Sequence, residues 1–184
     1  TLGLSCIPPE LREDRGEIEA AEQDRLPDLV KLSDIKGDLH VHTQKTDGHN
    51  TIEEMARKAR DLGYEYLAIT EHSKRVTVAG GLTAEALENH VENIEKANRR
   101  LDNIEILSGV EVDILEDGRL DLPDDILSRL DVVIGSIHYQ FNLSRKKQTQ
   151  RIVTAMENPH FMILGHPFGR KINEREPMDL DLND

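Results

Sequence analysis

The sequence predicts an α/β fold in which parallel strands alternate with helices as part of a β/α barrel. Five short apolar runs of strand-like composition alternate with stretches whose apolar residues recur at helical spacing. The alternation continues in one direction along the chain, and right-handed βαβ units place such strands side by side in a parallel sheet. A doubly wound sheet is the alternative fold that this pattern leaves open.

Residues 1–34 differ in composition from the rest of the chain. Ile7-Pro8-Pro9 is predicted to be extended, because the residue before a proline avoids the helical region. The stretch that follows is charged, and only a weak apolar pattern returns near Leu26. We interpret residues 1–34 as a connector or the end of a preceding domain, and residues 35–184 as the main domain.

The elements of the main domain are predicted from local signals. The first strand ends at Leu39-His40-Val41-His42. Asn50 is predicted to cap the first helix, with Glu53 completing a capping box, and Gly63 is predicted to end it. The other predicted strands are 66–70, 105–114, 132–137 and 161–165. Further helices are predicted after a cap at Thr83, near Asp124 and within 143–157.

The composition limits the partners that the chain can have. With 23 Lys and Arg against 36 Asp and Glu, the formal net charge is −13. Such a chain is not expected to hold long duplex nucleic acid by itself, because that affinity comes from basic side chains. We find no apolar run of about 18 residues that would span a membrane and no signal peptide at the N-terminus. With Cys6 as its single cysteine, the chain is expected to be cytoplasmic.

Five of the eight histidines lie at or just after the carboxyl end of a predicted strand, together with three acidic residues. In parallel β/α folds this edge of the sheet is where functional sites are built. The residues are His40, His42, His72, His138 and His166, with Asp47, Glu71 and Glu111. We interpret the three other histidines, His49, His90 and His160, as ordinary surface or core residues.

The spacing of His40 and His42 indicates a metal site. Residues i and i+2 of a strand point to the same face, so both imidazoles can reach one cation. Glu111 lies in an otherwise apolar strand, where a buried carboxylate needs a partner such as a metal ion or an arginine. Imidazole and carboxylate ligands together suit zinc, manganese or iron. The sequence therefore predicts a polynuclear metal site.

These motifs resemble those of the PHP (polymerase and histidinol phosphatase) superfamily, from Ile35 to about Arg170. The matching segments are Asp38-Leu39-His40-Val41-His42-Thr43 with Asp47-Gly48, Ile69-Thr70-Glu71-His72-Ser73-Lys74, Gly109-Val110-Glu111-Val112-Asp113, Ser136-Ile137-His138 and Gly165-His166-Pro167. Within the superfamily the chain looks like the C-terminal PHP domain of bacterial or archaeal family X DNA polymerases. The supporting segments are residues 7–21, which resemble the end of the polymerase thumb region, and residues 78–82.

The resemblance implies a distorted (β/α)7 TIM-like barrel, the PHP fold, with up to three metal ions. By it, His40, His42 and Glu111 hold one ion, Glu111 with His138 and His166 holds a second, and Asp47 and His72 hold a third. The family also has an Asp-x-His motif near the end of the barrel, which this sequence lacks. We therefore expect the last one or two strands to lie outside this chain. Glu71 stands where the family more often has Asp.

The function that the resemblance implies is metal-dependent hydrolysis of DNA phosphodiester bonds. The domain would act as a 3′–5′ exonuclease that processes DNA 3′ ends in repair, beside an N-terminal polymerase domain of the same protein. Mn²⁺ is the favoured cofactor and Zn²⁺ the alternative. The expected catalytic residues are His40, His42, Glu111 and His138, and Lys74 and Arg170 are expected to contact the phosphate.

Two other functions are left open by the sequence. The same site could belong to a stand-alone phosphomonoesterase of the histidinol-phosphatase type. The domain could also be a non-catalytic structural part of a polymerase, which the missing Asp-x-His motif favours and the seven ligand-type residues oppose.

Overall fold

The computed structural model describes residues 3–183, and the chain divides into two compact units at the junction of Ile35 and Lys36. The first unit contains the short helix α1 (Glu17–Glu22) and 3-10 turns at Pro9–Leu11 and Leu32–Asp34. Ala21 of α1 is buried within it. The second unit carries all of the strands described below.

The second unit alternates strands and helices along the chain. Its elements are β1 (Gly37–Val41), α2 (Ile52–Asp61), β2 (Tyr66–His72), α3 (Ala84–Asn98), β3 (Glu105–Asp113), α4 (Asp124–Leu127), β4 (Val132–Ser136), α5 (Arg145–Met156) and β5 (Ile163–Leu164). All neighbouring strands pair in parallel, which confirms the predicted α/β class. The strand order is β1-β2-β3-β4-β5, so the doubly wound alternative, whose order reverses about a switch point, is wrong.

The sheet curls into half of a barrel. In a flat sheet, four strand spacings of about 4.8 Å would separate β1 from β5 by roughly 19 Å. Instead, the ring centroids of His40 on β1 and His166 just after β5 are only 6.3 Å apart. The curl is typical of a partial TIM-like barrel, and the seven units of a closed barrel stay a prediction.

The core lies between the convex face of the sheet and the helices. One cluster joins α2 and α3 to the first three strands through Ala56, Leu67, Ile69, Ile94 and Ile106. A second cluster joins α3, α4 and α5 to β3 and β4 and includes Leu87, Val112, Leu127, Val133 and Ile152. β2, β3 and β4 are buried along most of their length, as parallel strands usually are.

The cap of α2 differs by one residue from the prediction. Thr51, not Asn50, is the N-cap: its Oγ1 accepts a hydrogen bond from Glu54 N at 3.2 Å, and Glu54 Oε2 accepts one from Thr51 N at 2.8 Å. Asn50 is instead part of the preceding loop, where its carbonyl accepts a bond from Gln44 N. The predicted cap of α3 at Thr83 is confirmed.

The strand ends also differ from the prediction, by one residue at the ends of β1, β3 and β4 and by more in β2 and β5. β2 continues to His72, because its pairing with β3 extends through His72, which lies opposite Glu111. β5 is reduced to Ile163 and Leu164, which pair with β4. Gly63 has a φ of +86° and follows the last turn of α2, as predicted. Among the described residues, no helix is both long and apolar enough to cross a membrane.

Candidate metal centre

Glu111 is the centre of the cluster at the carboxyl edge of the sheet. It lies on the third strand, its side chain is 1% exposed, and both carboxylate oxygens face imidazole nitrogens. Oε1 lies 2.7 Å from His166 Nε2 and 3.3 Å from His138 Nε2. Oε2 lies 2.9 Å from His72 Nδ1, 3.2 Å from His40 Nε2 and 3.3 Å from His42 Nε2. One buried carboxylate is thus shared by five histidines.

Each histidine is placed by the end of a strand. His40 and His42 lie at and just after the end of β1, and their alternate spacing turns both rings to the same side. His72 is the last residue of β2 and stacks on His42, with ring centroids 4.3 Å apart. His138 and His166 each follow a strand by two residues, β4 and β5 respectively. The parallel sheet therefore gathers side chains that are far apart in sequence.

Asp47 joins the cluster from the turn after β1. Its Oδ2 lies 3.3 Å from His72 Nε2, and its Oδ1 lies 3.7 Å from His42 Nδ1. In each of three groups the candidate ligand atoms lie within 4.8 Å of one another. The groups are His40 with His42 and Glu111, His42 with Asp47 and His72, and His72 with Glu111 and His138. All seven residues predicted as ligands are brought together, while their binding of metal stays a prediction.

The chemistry of the donor set fits divalent cations. Among the described residues, Nδ1 of His42 and Nδ1 of His72 are buried without a hydrogen-bond partner. His72 Nδ1 lies 2.9 Å from Glu111 Oε2 and yet lacks the alignment of a hydrogen bond. Buried nitrogens normally find a partner, so their presence beside carboxylate oxygens indicates a place for a cation. Imidazole and carboxylate together suit zinc, manganese or iron.

The charges of the cluster depend on one another. Burial acts to raise the pKa of Glu111, but its contacts with His138, His166 and His40 outweigh burial and hold that pKa far below its usual range. Burial also acts to lower the pKa of His138, but Asp113 and Glu111 raise it to about 9. Without metal, the carboxylate is therefore ionised and the ring of His138 carries a proton at neutral pH.

Asp113 contacts the candidate metal centre, although the sequence analysis assigned it no role. It lies two residues after Glu111 on the same face of β3, and it is fully buried. Its Oδ1 accepts hydrogen bonds from the backbone N–H of His138 at 3.1 Å and from His138 Nδ1 at 2.9 Å. A carboxylate behind a metal-binding histidine fixes the orientation of the ring. A second acid at i+2 in an apolar strand was the signal for it.

Arg75 is a second residue that the prediction missed. Its Nε lies 3.3 Å from Asp113 Oδ2, and its side chain is 34% exposed. The guanidinium also contacts Glu116 and lies 5.4 Å from the ring centroid of Tyr139. The hydroxyl of Tyr139 donates to the carbonyl of Arg75 at 2.8 Å. Arg75 therefore links the acid behind His138 to the protein surface.

The two predicted phosphate contacts are exposed. Lys74 lines a cavity with Leu115, Asp121 and Thr154. Arg170 lines a different cavity with Glu174 and Arg175. Neither takes part in the contacts that the described structure shows around Glu111. Their contact with phosphate stays a prediction.

The three remaining histidines occupy different environments. His49 is exposed and His160 is half-buried. His90 on α3 is buried, with Nε2 3.4 Å from Oε1 of Glu71. Burial acts to raise the pKa of Glu71, but its contacts with His90 and with threonines of the turn after β1 outweigh burial and leave the pKa below its usual range. His90 therefore lies in the core, and its interpretation as an ordinary residue stays a prediction.

Known proteins resemble this chain both in the region that carries the histidine cluster and over nearly its whole length. The sequence model of the PHP domain matches residues 38–166. The chain is 44% identical over 182 residues to the DNA polymerase/3′-5′ exonuclease PolX of Bacillus subtilis strain 168, an alignment that covers 99% of this chain and 32% of that protein. It is 36% identical over 136 residues to a probable phosphatase of Thermoanaerobacter sp. strain X514, covering 71% of this chain and 53% of that protein.

A second probable phosphatase aligns with this chain over a similar length. Over 149 residues the chain is 32% identical to a probable phosphatase of Clostridium acetobutylicum, covering 78% of this chain and 57% of the relative. The chain thus spans 32% of the length of the Bacillus relative and 53–57% of the length of the two probable phosphatases.

Proposed function

The chain belongs to the PHP domain family, and on that basis we propose that it is a metal-dependent phosphoesterase that cleaves phosphodiester bonds at DNA 3′ ends. The observation that carries the proposal is the buried carboxylate of Glu111 shared by five imidazoles. The choice of DNA is supported by 44% identity to a relative whose name includes 3′-5′ exonuclease. We further propose that the domain works in repair beside a polymerase domain of the same protein.

The side chains of the proposed site have different roles. Glu111 supplies a permanent negative charge, since its pKa lies far below neutrality. Asp113 holds Nδ1 of His138 and thereby turns Nε2 of that ring toward Glu111. Bound divalent ions, Mn²⁺ or alternatively Zn²⁺ and up to three in the complete site, would lower the pKa of a water and offset phosphate charge. His40, His42, Asp47, His72 and His166 are proposed as the remaining ligands.

We propose that the domain binds the end of a DNA strand and not a long stretch of duplex. A chain with a net charge of −13 has little general affinity for duplex DNA, so a single strand end is the better fit. Lys74 and Arg170 are the proposed contacts to phosphate groups. Arg75 is a further cation at the edge of the site, since it pairs with Asp113 and is partly exposed.

The test is Mn²⁺-dependent release of nucleotides from a 3′-labelled DNA strand. We expect Glu111→Gln to reduce release to background, because the variant removes the charge that five histidines share. Glu105→Gln is the matched control, since Glu105 is an exposed acid at the opposite end of the same strand. Full activity of Glu111→Gln would contradict the proposal. The measurement should be made on this chain alone and on this chain joined to the proposed polymerase domain.

A phosphomonoesterase is the second candidate. It is favoured by the 36% and 32% identities to proteins named probable phosphatases. A phosphomonoester such as histidinol phosphate should therefore be compared with the DNA strand under the same conditions. Faster hydrolysis of the monoester would favour this candidate. If neither substrate is cleaved and no metal is bound, the non-catalytic structural role is favoured instead.

A further inference from the structure

Glu71 is a fully buried acid beside the metal centre but outside its set of candidate ligands. It precedes His72 on β2, so its side chain points to the opposite face of the sheet, where it meets His90 of α3. Its exposed fraction is 0%. A buried carboxylate is costly unless its oxygens are satisfied, so the partners of Glu71 indicate its role.

These partners belong mainly to the turn that follows β1. Oε1 accepts a hydrogen bond from Thr43 N at 3.0 Å and another from Thr43 Oγ1. Oε2 accepts a hydrogen bond from Thr46 Oγ1. His90 Nε2 approaches Oε1 from the helix side at 3.4 Å. The Glu71 carboxylate therefore connects Thr43 and Thr46, two residues of one turn, to β2.

The turn, residues 43–48, has a compact shape of its own. The carbonyl of Thr43 accepts bonds from Thr46 N at 3.2 Å and from Gly48 N at 2.9 Å. A Cβ atom on Gly48 would lie 2.5 Å from the carbonyl oxygen of His42, so the backbone there passes too closely for a side chain. Asp47 lies between Thr46 and Gly48. The direction of the Asp47 side chain therefore depends on the contacts that hold this turn in place.

We propose that Glu71 is a positioning residue that holds the 43–48 turn so that Asp47 faces His42 and His72 before any ion binds. The importance of this for metal binding rests on the proposed function, whereas the holding of the turn does not. His90 supports Glu71 from α3 and so connects the turn to the helical layer. Residues behind metal ligands typically change metal affinity by about 10- to 100-fold.

Hydrogen exchange of the metal-free protein tests the holding of the turn. In Glu71→Gln, an NH₂ group that faces Thr43 leaves the backbone N–H of Thr43 without an acceptor. An NH₂ group that faces Thr46 still forms a hydrogen bond, but the contacts to both threonines lose the negative charge that strengthens them. We expect peptides covering residues 40–50 to exchange faster than in the wild type, with peptides of β4 unchanged. Glu92→Gln, an exposed acid on α3, is the matched control. Unchanged exchange at residues 40–50 in Glu71→Gln would overturn the proposal.

A milder variant keeps the proposal testable if Glu71→Gln does not fold. Thr46→Val keeps the shape of the side chain and removes the hydrogen bond to Oε2 of Glu71. We expect the same faster exchange at residues 40–50 with a smaller effect. If Glu71→Gln does not fold and Thr46→Val exchanges as the wild type does, the proposal is overturned.

Titration with Mn²⁺ by calorimetry tests the consequence for the ligands. We expect Glu71→Gln to weaken the same class of site as Asp47→Asn, by about tenfold or more, and Glu92→Gln to have no effect. Equal weakening of every site, together with a lower melting temperature, would indicate a purely structural residue and overturn the proposal. If the wild type binds no Mn²⁺, the proposed function fails, and the exchange measurement still decides whether Glu71 holds the turn.

Discussion

Asp113 Oδ1 accepts two hydrogen bonds from His138, from the backbone N–H at 3.1 Å and from ring Nδ1 at 2.9 Å. The pair connects the end of β3 to the residue that follows β4 by two positions. Since Nδ1 is the donor to Asp113, Nε2 is left to face Glu111 at 3.3 Å. The orientation of one candidate ligand is thus set by a residue that is not itself a candidate ligand.

We predict that Asp113→Asn weakens Mn²⁺ binding by about 10- to 100-fold, because the amide still accepts a hydrogen bond but lacks the charge that orients the imidazole. The measurement is a calorimetric Mn²⁺ titration at constant pH. Asp117→Asn is the control, since Asp117 is an acid on the following turn whose side chain is 52% exposed. An affinity equal to that of the wild type would show that Asp113 has no part in the site.

We predict that metal binding releases a proton from His138. Burial lowers the pKa of this ring, but Asp113 and Glu111 raise it to about 9, above the ordinary value of about 6.5. The protonated ring therefore stabilises the metal-free fold fully below about pH 6.5, and this contribution is lost as the pH rises through about 9. An ion must displace the proton, so affinity should rise with pH in this window, by up to about tenfold per pH unit.

Calorimetry at pH 7.5 in buffers of different ionisation enthalpy measures this release directly. About one proton per protein is expected to leave His138. In His138→Gln the release should fall by the same amount. Binding heats that do not depend on the buffer in the wild type would contradict the assignment.

We predict that Thr51→Ala lowers the free energy of unfolding by about 1 kcal/mol, because α2 loses the side chain that caps it. Asn50→Ala, one residue earlier, should change it by less than about 0.5 kcal/mol. Urea unfolding of both variants makes the comparison. A larger loss in free energy of unfolding for Asn50→Ala than for Thr51→Ala would mean that Asn50 caps α2, as the sequence pattern indicated.

We predict that Arg151→Met lowers the free energy of unfolding by about 3 kcal/mol or more, since buried carbonyls lose their donors. Arg151 is buried on α5 and donates to the carbonyls of Ile114, Leu115 and Tyr139. Arg145→Met, an exposed residue of the same helix paired with Asp181, should cost about 1 kcal/mol or less. Similar urea midpoints for the two variants would show that these carbonyls do not depend on Arg151.

The sequence was sufficient to predict the strand ends that carry the cluster, because alternation and strand order fix which side chains reach one edge. His40 and His42 show this most directly, since their spacing alone turns both rings to one side. The cap of α2 was ambiguous, because Asn50 and Thr51 are both good capping residues and each has a glutamate three positions later. The reciprocal hydrogen bonds between Thr51 and Glu54 decide between them, and the carbonyl of Asn50 is used by the preceding loop.

Contacts between distant elements could not be predicted in the same way. The role of Asp113 depends on the register between β3 and β4, which no local pattern contains. The contact of Glu71 with His90 depends on how α3 lies against β2. The shortness of β5 follows from its limited pairing with β4, whereas its apolar composition predicted a longer strand.

The short distance between His40 and His166 has a consequence for how the sheet opens. Among the described strands, β1 and β5 each have a single neighbour, and such edge strands are the first to fray. The rings carried at these two edges meet over the carboxylate of Glu111 on the central strand. An ion shared by them would oppose fraying at both edges at once, so that the two outermost strands would open together with the centre of the sheet.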